Sequence, residues 1–202
     1  MIVFLLNVQQ IHNKGGNNNM KRQIRQGCFE TNSSSVHAIC VASQELNHIK
    51  NLPRSVSFEL GTYGWESDRY NSRTDRADYL YTAIIQLGGA LNKTQYSQMI
   101  KRLQFINDTL KKLNIDVYFA DFGVSVFDYG KKIVCYTDCL NEGGIDHVDE
   151  LEEFVDAVCS DEDMLMNYLF SDNSYVATGN DNDDNEPVID VDYPHKEFYK
   201  YN

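Results

Sequence analysis

Between Gly27 and His37 the chain places Glu30, Thr31, Asn32, Ser33, Ser34, Ser35 and His37 in one short run. A carboxylate, an amide, hydroxyls and an imidazole this close together supply the parts for general acid and base, a nucleophile or a metal ligand, provided the fold converges them. Two further polar groups lie far along the chain: Glu66 beside Trp65, and Asp146-His147 after Gly143-Gly144. If all three meet, Glu30, Ser33, Ser34, His37, Glu66, Asp146 and His147 form the catalytic set of a metal-assisted hydrolase or nucleotide-processing enzyme. The plainer reading of the first run is a Ser/Asn turn whose side chains bond their own backbone. Histidines on apolar segments are also more often core or capping residues than ligands.

No HxH, HExxH or paired-cysteine spacing strengthens a metal reading, and no phosphate-loop, dinucleotide or nucleophile-elbow pattern occurs, so the expectation is no metal and no cofactor. Asp181, Asp183, Asp184 and Glu186 alternate as calcium ligands do. Their run lacks the sixth-place glycine and twelfth-place glutamate of an EF-hand loop, which leaves a solvated hairpin tip.

The elements that must position these groups are readable from periodicity. The run Val36, Ala38-Ile39-Cys40-Val41-Ala42 predicts a buried strand with the polar cluster at its mouth. Ser43 to Asn51 predicts a short helix stopped by Pro53, and Ser55 to Leu60 a half-buried strand. Gly61 to Glu66 then forms a loop anchored by Trp65. Asp78 to Leu91 predicts a helix with Tyr79, Leu80, Ala83, Ile84 and Leu87 on one face, closed by Gly88-Gly89. A second helix, capped by Thr94, carries Tyr96, Met99, Ile100, Leu103, Ile106, Leu110 and Leu113 at three-four spacing. Residues 116–120, 123–127 and 133–136 predict an antiparallel meander. Leu151, Phe154, Val155 and Val158 mark a third helix, and the capping box Ser160 to Asp163 opens a fourth bearing Met164, Leu165, Tyr168 and Leu169. Ser174 to Thr178 predicts a last strand before the acidic turn and an aromatic tail. The class expected is α+β, an antiparallel sheet packed against several helices in a single domain.

The 202 residues suffice for one substantial core, and an apolar fraction of 42% is that of a folded chain. The opening apolar run, Met1 to Leu6, lacks a preceding basic region and is too short for a signal or a span. The Gly/Asn stretch before Met20 predicts that residues 1–19 are an extension outside the fold, with Met20 the natural start and residues 20–202 the domain. Five cysteines without a CxxC pair predict reduced, mostly buried thiols in a cytoplasmic protein.

The net charge of −12 is unevenly placed, because no Lys or Arg lies between Lys132 and Lys196. An acidic C-terminal third repels nucleic acid and attracts basic protein surfaces. Asp149, Glu150, Glu152 and Glu153 form one acidic patch and Asp181, Asp183 and Asp184 a second, and these are the candidate partner-binding residues.

The phrase Gly27-x-Phe29-Glu30-Thr31-Asn32-Ser33-Ser34-Ser35-x-His37 resembles the opening of a family of small bacteriophage and mobile-element proteins, with Cys28 where an aliphatic residue is expected. Tyr63-Gly64-Trp65-Glu66, Ala77 to Ile84, Ile145-Asp146-His147 and Thr178 to Asn182 are also similar to it. The resemblance implies a phage accessory protein in the cytoplasm of a bacterial host. It further implies an anti-CRISPR-like inhibitor that binds the basic groove of an RNA-guided nuclease through its acidic part. Such a protein contacts neither nucleic acid nor membrane directly. The rivals are the hydrolase outlined above and a non-catalytic structural component of the phage.

Overall fold

The computed structural model describes residues 8–10, 35–42, 51–64, 68–88, 90–91, 93–121, 124–128, 133–137, 144–146, 151–180 and 195–201. In chain order the elements are β1 (Val8–Gln10), β2 (Ser35–Ala42), β3 (Ser55–Phe58), β4 (Thr62–Tyr63), β5 (Asp68–Tyr70), α1 (Arg73–Leu87), β6 (Ala90–Leu91) and α2 (Lys93–Lys112). There follow β7 (Asp116–Phe119), β8 (Val124–Asp128), β9 (Ile133–Thr137), β10 (Gly144–Ile145), α3 (Glu152–Val158), α4 (Glu162–Phe170), β11 (Tyr175–Asn180) and β12 (His195–Tyr201). The class is α+β, as the sequence predicts.

The strand predicted from the apolar run, β2, is central in a sheet ordered β12-β2-β11-β5, antiparallel throughout. Residues directly opposite in such a ladder share a face. Ile39 therefore lies beside Val176 and Tyr199, and Ile39, Val41 and Val176 join the main core with α1, α2, α3 and α4. Ala38 and Cys40 point the other way and form a second buried cluster with Tyr175 and Ala177. Burial on both faces explains why β2 reads as a nearly continuous apolar run instead of an alternating one. A second sheet runs β1-β8-β9-β6, and two short parallel pairs, β3 with β7 and β10 with β4, complete the set among the described residues.

Helix α1 begins five residues before the predicted start. Ser72 is its N-cap, accepting from the Asp75 N–H at 3.1 Å, a short-range signal that hydrophobic periodicity alone does not register. It ends at Leu87, and Ala90–Leu91 leave the helix to pair with β9. A Cβ at Gly88 would lie 2.8 Å from Met99 Sδ, so a glycine there lets α2 approach. Helix α2 ends in paired reversed bonds, Asn114 N–H to Lys111 O and Ile115 N–H to Leu110 O, with Asn114 at φ 58°. That turn leaves Leu113 exposed, off the stripe to which its spacing assigned it. The cap of α4 is Asp161, not Ser160, and it accepts from Met164 N–H at 3.0 Å.

Two topological expectations change. Strand β7 is not part of a meander but pairs in parallel with β3, because Val56 and Phe58 offer an alternating buried face beside it. Within the 1–19 stretch, predicted to stand outside the fold, Val8–Gln10 pair in parallel with Val124–Val126, since the edge of β8 presents free main-chain groups. Strands β11 and β12 flank β2 on opposite sides, and the acidic run predicted as a hairpin tip, residues 181–186, lies outside the described residues. The predicted helix at 43–50, Trp65 and residues 181–194 lie outside the described residues.

Cys40 and Cys159 are buried thiols outside any disulfide among the described residues. Burial pushes Cys159 up to about 12, outweighing the nearby Arg102. Its thiol should therefore resist alkylation at pH 8.5 in the native protein and react at once in denaturant, followed by mass spectrometry. An unfolded thiol ionises near pH 8.5 while the folded one keeps its proton, so this group lowers stability as pH rises from about 8.5 towards 12. Native alkylation at the denatured rate would refute the burial.

Candidate functional site

His37 sits inside β2, opposite Thr178 on β11 and Tyr201 on β12, and is 1% exposed. Its Nδ1 lies 3.1 Å from the Tyr79 hydroxyl of α1. Tyr79 packs edge-on against Tyr63, and Tyr63 against Tyr70, with centroids 5.0 and 5.1 Å apart. His37 is thus the polar end of a buried aromatic row that joins sheet to helix. Burial, with the Asp78 charge second, raises the Tyr63 phenol well above its usual range. This is the environment of a structural imidazole, closed to a substrate. The sequence placed His37 in a site because it stands next to serines; the structure buries it against Tyr79 of α1.

Asp146 follows β10, and its N–H reaches Tyr63 O at 3.3 Å. Beside it the Gln86 side chain brackets Ile145, its Oε1 accepting from the N–H at 2.6 Å and its Nε2 donating to the C=O at 2.7 Å. Gln86 so mimics one more rung of a ladder and ties β10 to α1. Glu30, Ser33, Ser34, Glu66 and His147, the other members of the predicted catalytic set, lie outside the described residues. Among the described residues no three His, Cys, Asp or Glu side chains gather as a metal would require.

The acidic candidates divide in the same way. Asp149, Glu150, Asp181, Asp183 and Asp184 lie outside the described residues, whereas Glu152 and Glu153 are exposed in the first turn of α3. The amphipathic pattern turns Phe154, Val155 and Val158 inward and leaves Glu152, Glu153 and Asp156 in water; Asp161, Glu162 and Asp163 do the same at the start of α4. Part of this acid is already engaged. Arg102 of α2, its side chain 9% exposed, donates to Asp156 Oδ1 from Nη2 at 2.7 Å and from Nε at 3.0 Å, and reaches Glu152 at 3.4 Å. Lys112 bonds Glu162. Glu153, Asp161 and Asp163 make no ion pair among the described residues, and of these Asp161 is held as the cap of α4.

An arginine-lined cavity, which the sequence reading passed over, opens at the start of α1. Its volume is about 310 Å³, and Asn71, Ser72, Arg73, Arg76, Phe170 and Asp172 are among the residues around it. Arg76 is 2% exposed and spends its guanidinium on main-chain oxygens: those of Leu169 at 2.8 Å, Ser171 at 3.0 Å, Ser174 at 2.5 Å and, closely, Asn71. It thereby closes the C-terminal end of α4 and the turn into β11. Its carbonyl in turn accepts from the buried Tyr168 hydroxyl at 2.9 Å. Burial lowers the Arg76 pKa from its ordinary value, opposed first by the Tyr168 phenol and then by Asp172.

No protein-family model, curated protein or solved structure matches the chain.

The signal that could have found this cavity is the phrase Asn71-Ser72-Arg73-Thr74-Asp75-Arg76. A capping serine followed by arginines three apart puts two guanidinium groups on one side of a helix's first turn. No described helix is long and apolar enough to cross a membrane.

Proposed function

We propose that this chain is a non-catalytic binding protein, an anti-CRISPR-like inhibitor from a phage or mobile element. In this reading its acidic C-terminal part occupies the basic nucleic-acid groove of a host RNA-guided nuclease. The observation that carries the reading is the exposure of six carboxylates on α3 and the start of α4, in a stretch without Lys or Arg. A surface of that sign suits a channel built to hold phosphates. The burial of His37 against Tyr79 weighs against the catalytic rival, which needs that imidazole open to substrate.

The test is target-DNA cleavage by a purified RNA-guided effector, titrated with the protein at low and high salt. Screening beyond about 8 Å at physiological ionic strength should weaken inhibition as salt rises. A Glu153→Gln, Asp163→Asn variant leaves the Arg102 and Lys112 bridges in place, so its melting temperature should hold while association slows by about tenfold at low salt. A second variant, with Asp181, Asp183 and Asp184 changed to Asn, probes the other patch. Inhibition equal to the parent's by both variants at every salt concentration would rule out the acidic-groove mechanism.

A further inference from the structure

We propose that the cavity at the start of α1 binds a small phosphate-type oxyanion. Arg76 is a buried cation whose hydrogen-bond partners are all neutral carbonyls; among the described residues no carboxylate lies within ion-pair reach of it and its Nε–H has no hydrogen-bond partner. A buried charge without a countercharge is costly, and an anion in the adjoining cavity supplies one. The same cavity is lined by the second guanidinium, Arg73, whose Cζ stands 5.7 Å from the centre of the Phe170 ring. The first turn of α1 leaves donors free there. Ser72 Oγ takes the Asp75 N–H and Ser72 O takes the Arg76 N–H, which leaves those of Arg73 and Thr74 unused among the described residues. The uncommitted amides at the helix N-terminus and the Arg73 guanidinium are the donors, Arg76 adds its buried charge, and with the cavity they make a phosphate cradle.

Two carboxylates stand nearby and limit the occupant. Asp75 is held by the Ser72 hydroxyl at 2.6 Å, and Asp172 lines the cavity wall from an exposed position. They disfavour a polyanion and leave room for a single phosphate group. At about 310 Å³ the cavity is at the small end of ligand sites, enough for a phosphate with a short organic part. Leu52, 38% exposed at the rim, offers that part an apolar contact.

The experiment is a titration of the full chain with inorganic phosphate and, separately, glycerol phosphate, against chloride at matched ionic strength. It is read by thermal shift and by phosphorus NMR line broadening. A saturable rise in melting temperature with either phosphate is expected, because a ligand that binds only the folded state stabilises it by mass action. Tighter binding of glycerol phosphate identifies a phosphomonoester as the ligand, and equal binding identifies the free anion. Phosphate also strengthens apolar burial nonspecifically, so the deciding variant is Arg73→Gln, an exposed position. That variant should melt with the parent in chloride and bind phosphate at least about tenfold more weakly. Absence of a saturable shift and of line broadening overturns the proposal, as does parental affinity in Arg73→Gln.

Discussion

Arg76→Met is expected to lower the unfolding free energy by about 3–5 kcal/mol and the melting temperature by about 10 °C, the largest effect of any polar substitution proposed for this chain. The methionine fills the volume of the arginine stem but donates nothing. The main-chain oxygens of Leu169, Ser171 and Ser174, where α4 turns into β11, and of Asn71 before α1 then lose this donor, Ser171 O keeping only the Ser174 N–H. Each buried acceptor left unsatisfied costs about 1–3 kcal/mol, and relief of the buried charge returns part of that sum. Arg76→Lys separates charge from geometry: an ammonium keeps the cation but reaches fewer oxygens from one point, so its loss should fall between the parent and Arg76→Met. Urea or thermal unfolding of the three proteins measures this. A loss below about 1 kcal/mol in Arg76→Met would mean that water from the cavity replaces the guanidinium.

Phe154→Ala is expected to cost about 3–5 kcal/mol, the usual range for deleting a large buried aromatic side chain. Phe154 is fully buried and stands edge-on between Tyr168 of α4 and Tyr199 of β12, at 5.2 and 5.4 Å between centroids. It therefore ties α3 and α4, which residues 159–161 connect, to β12, which lies farther along the chain. Beyond the cavity left in the core, the two ring contacts add about 0.5–1.5 kcal/mol each. Phe154→Leu keeps most of the volume and should cost markedly less. A double-mutant cycle with Tyr168→Leu would give coupling near zero if the rings did not interact, and that result would contradict the edge-on pairing.

Where periodicity is strong, sequence and structure agree: the buried strand at β2, the stripe Met99, Leu103, Ile106 and Leu110 of α2, and the inward Phe154, Val155 and Val158 of α3 all stand as their spacing predicts. The start of α1 and the cap of α4 moved because a helix begins where a side chain satisfies its first free N–H groups, and Ser72 and Asp161 do that. That information is local but lies outside the apolar pattern. Strand pairing is different in kind. Parallel β3–β7 and the placement of β2 between β11 and β12 are agreements between segments far apart in the chain, and nothing in a single segment encodes its neighbour.

The candidate sites follow the same division. The acidic character of the C-terminal part is a sum over residues, so the sequence alone determined it. Which carboxylates are available was decided only by α2, whose Arg102 and Lys112 engage Glu152, Asp156 and Glu162 and leave Glu153 and Asp163 outside any ion pair among the described residues. By residue type His37 belonged to a reactive cluster; by depth it belongs to the core, because β2 is covered on both faces. Arg76, unremarkable in sequence, became a buried cation beside a cavity when α4 and the turn into β11 closed over it. Residue types determine which chemistry the chain carries, and they are fixed by the sequence. Burial and charge pairing depend on distances between remote segments, and only the packed tertiary structure sets those distances.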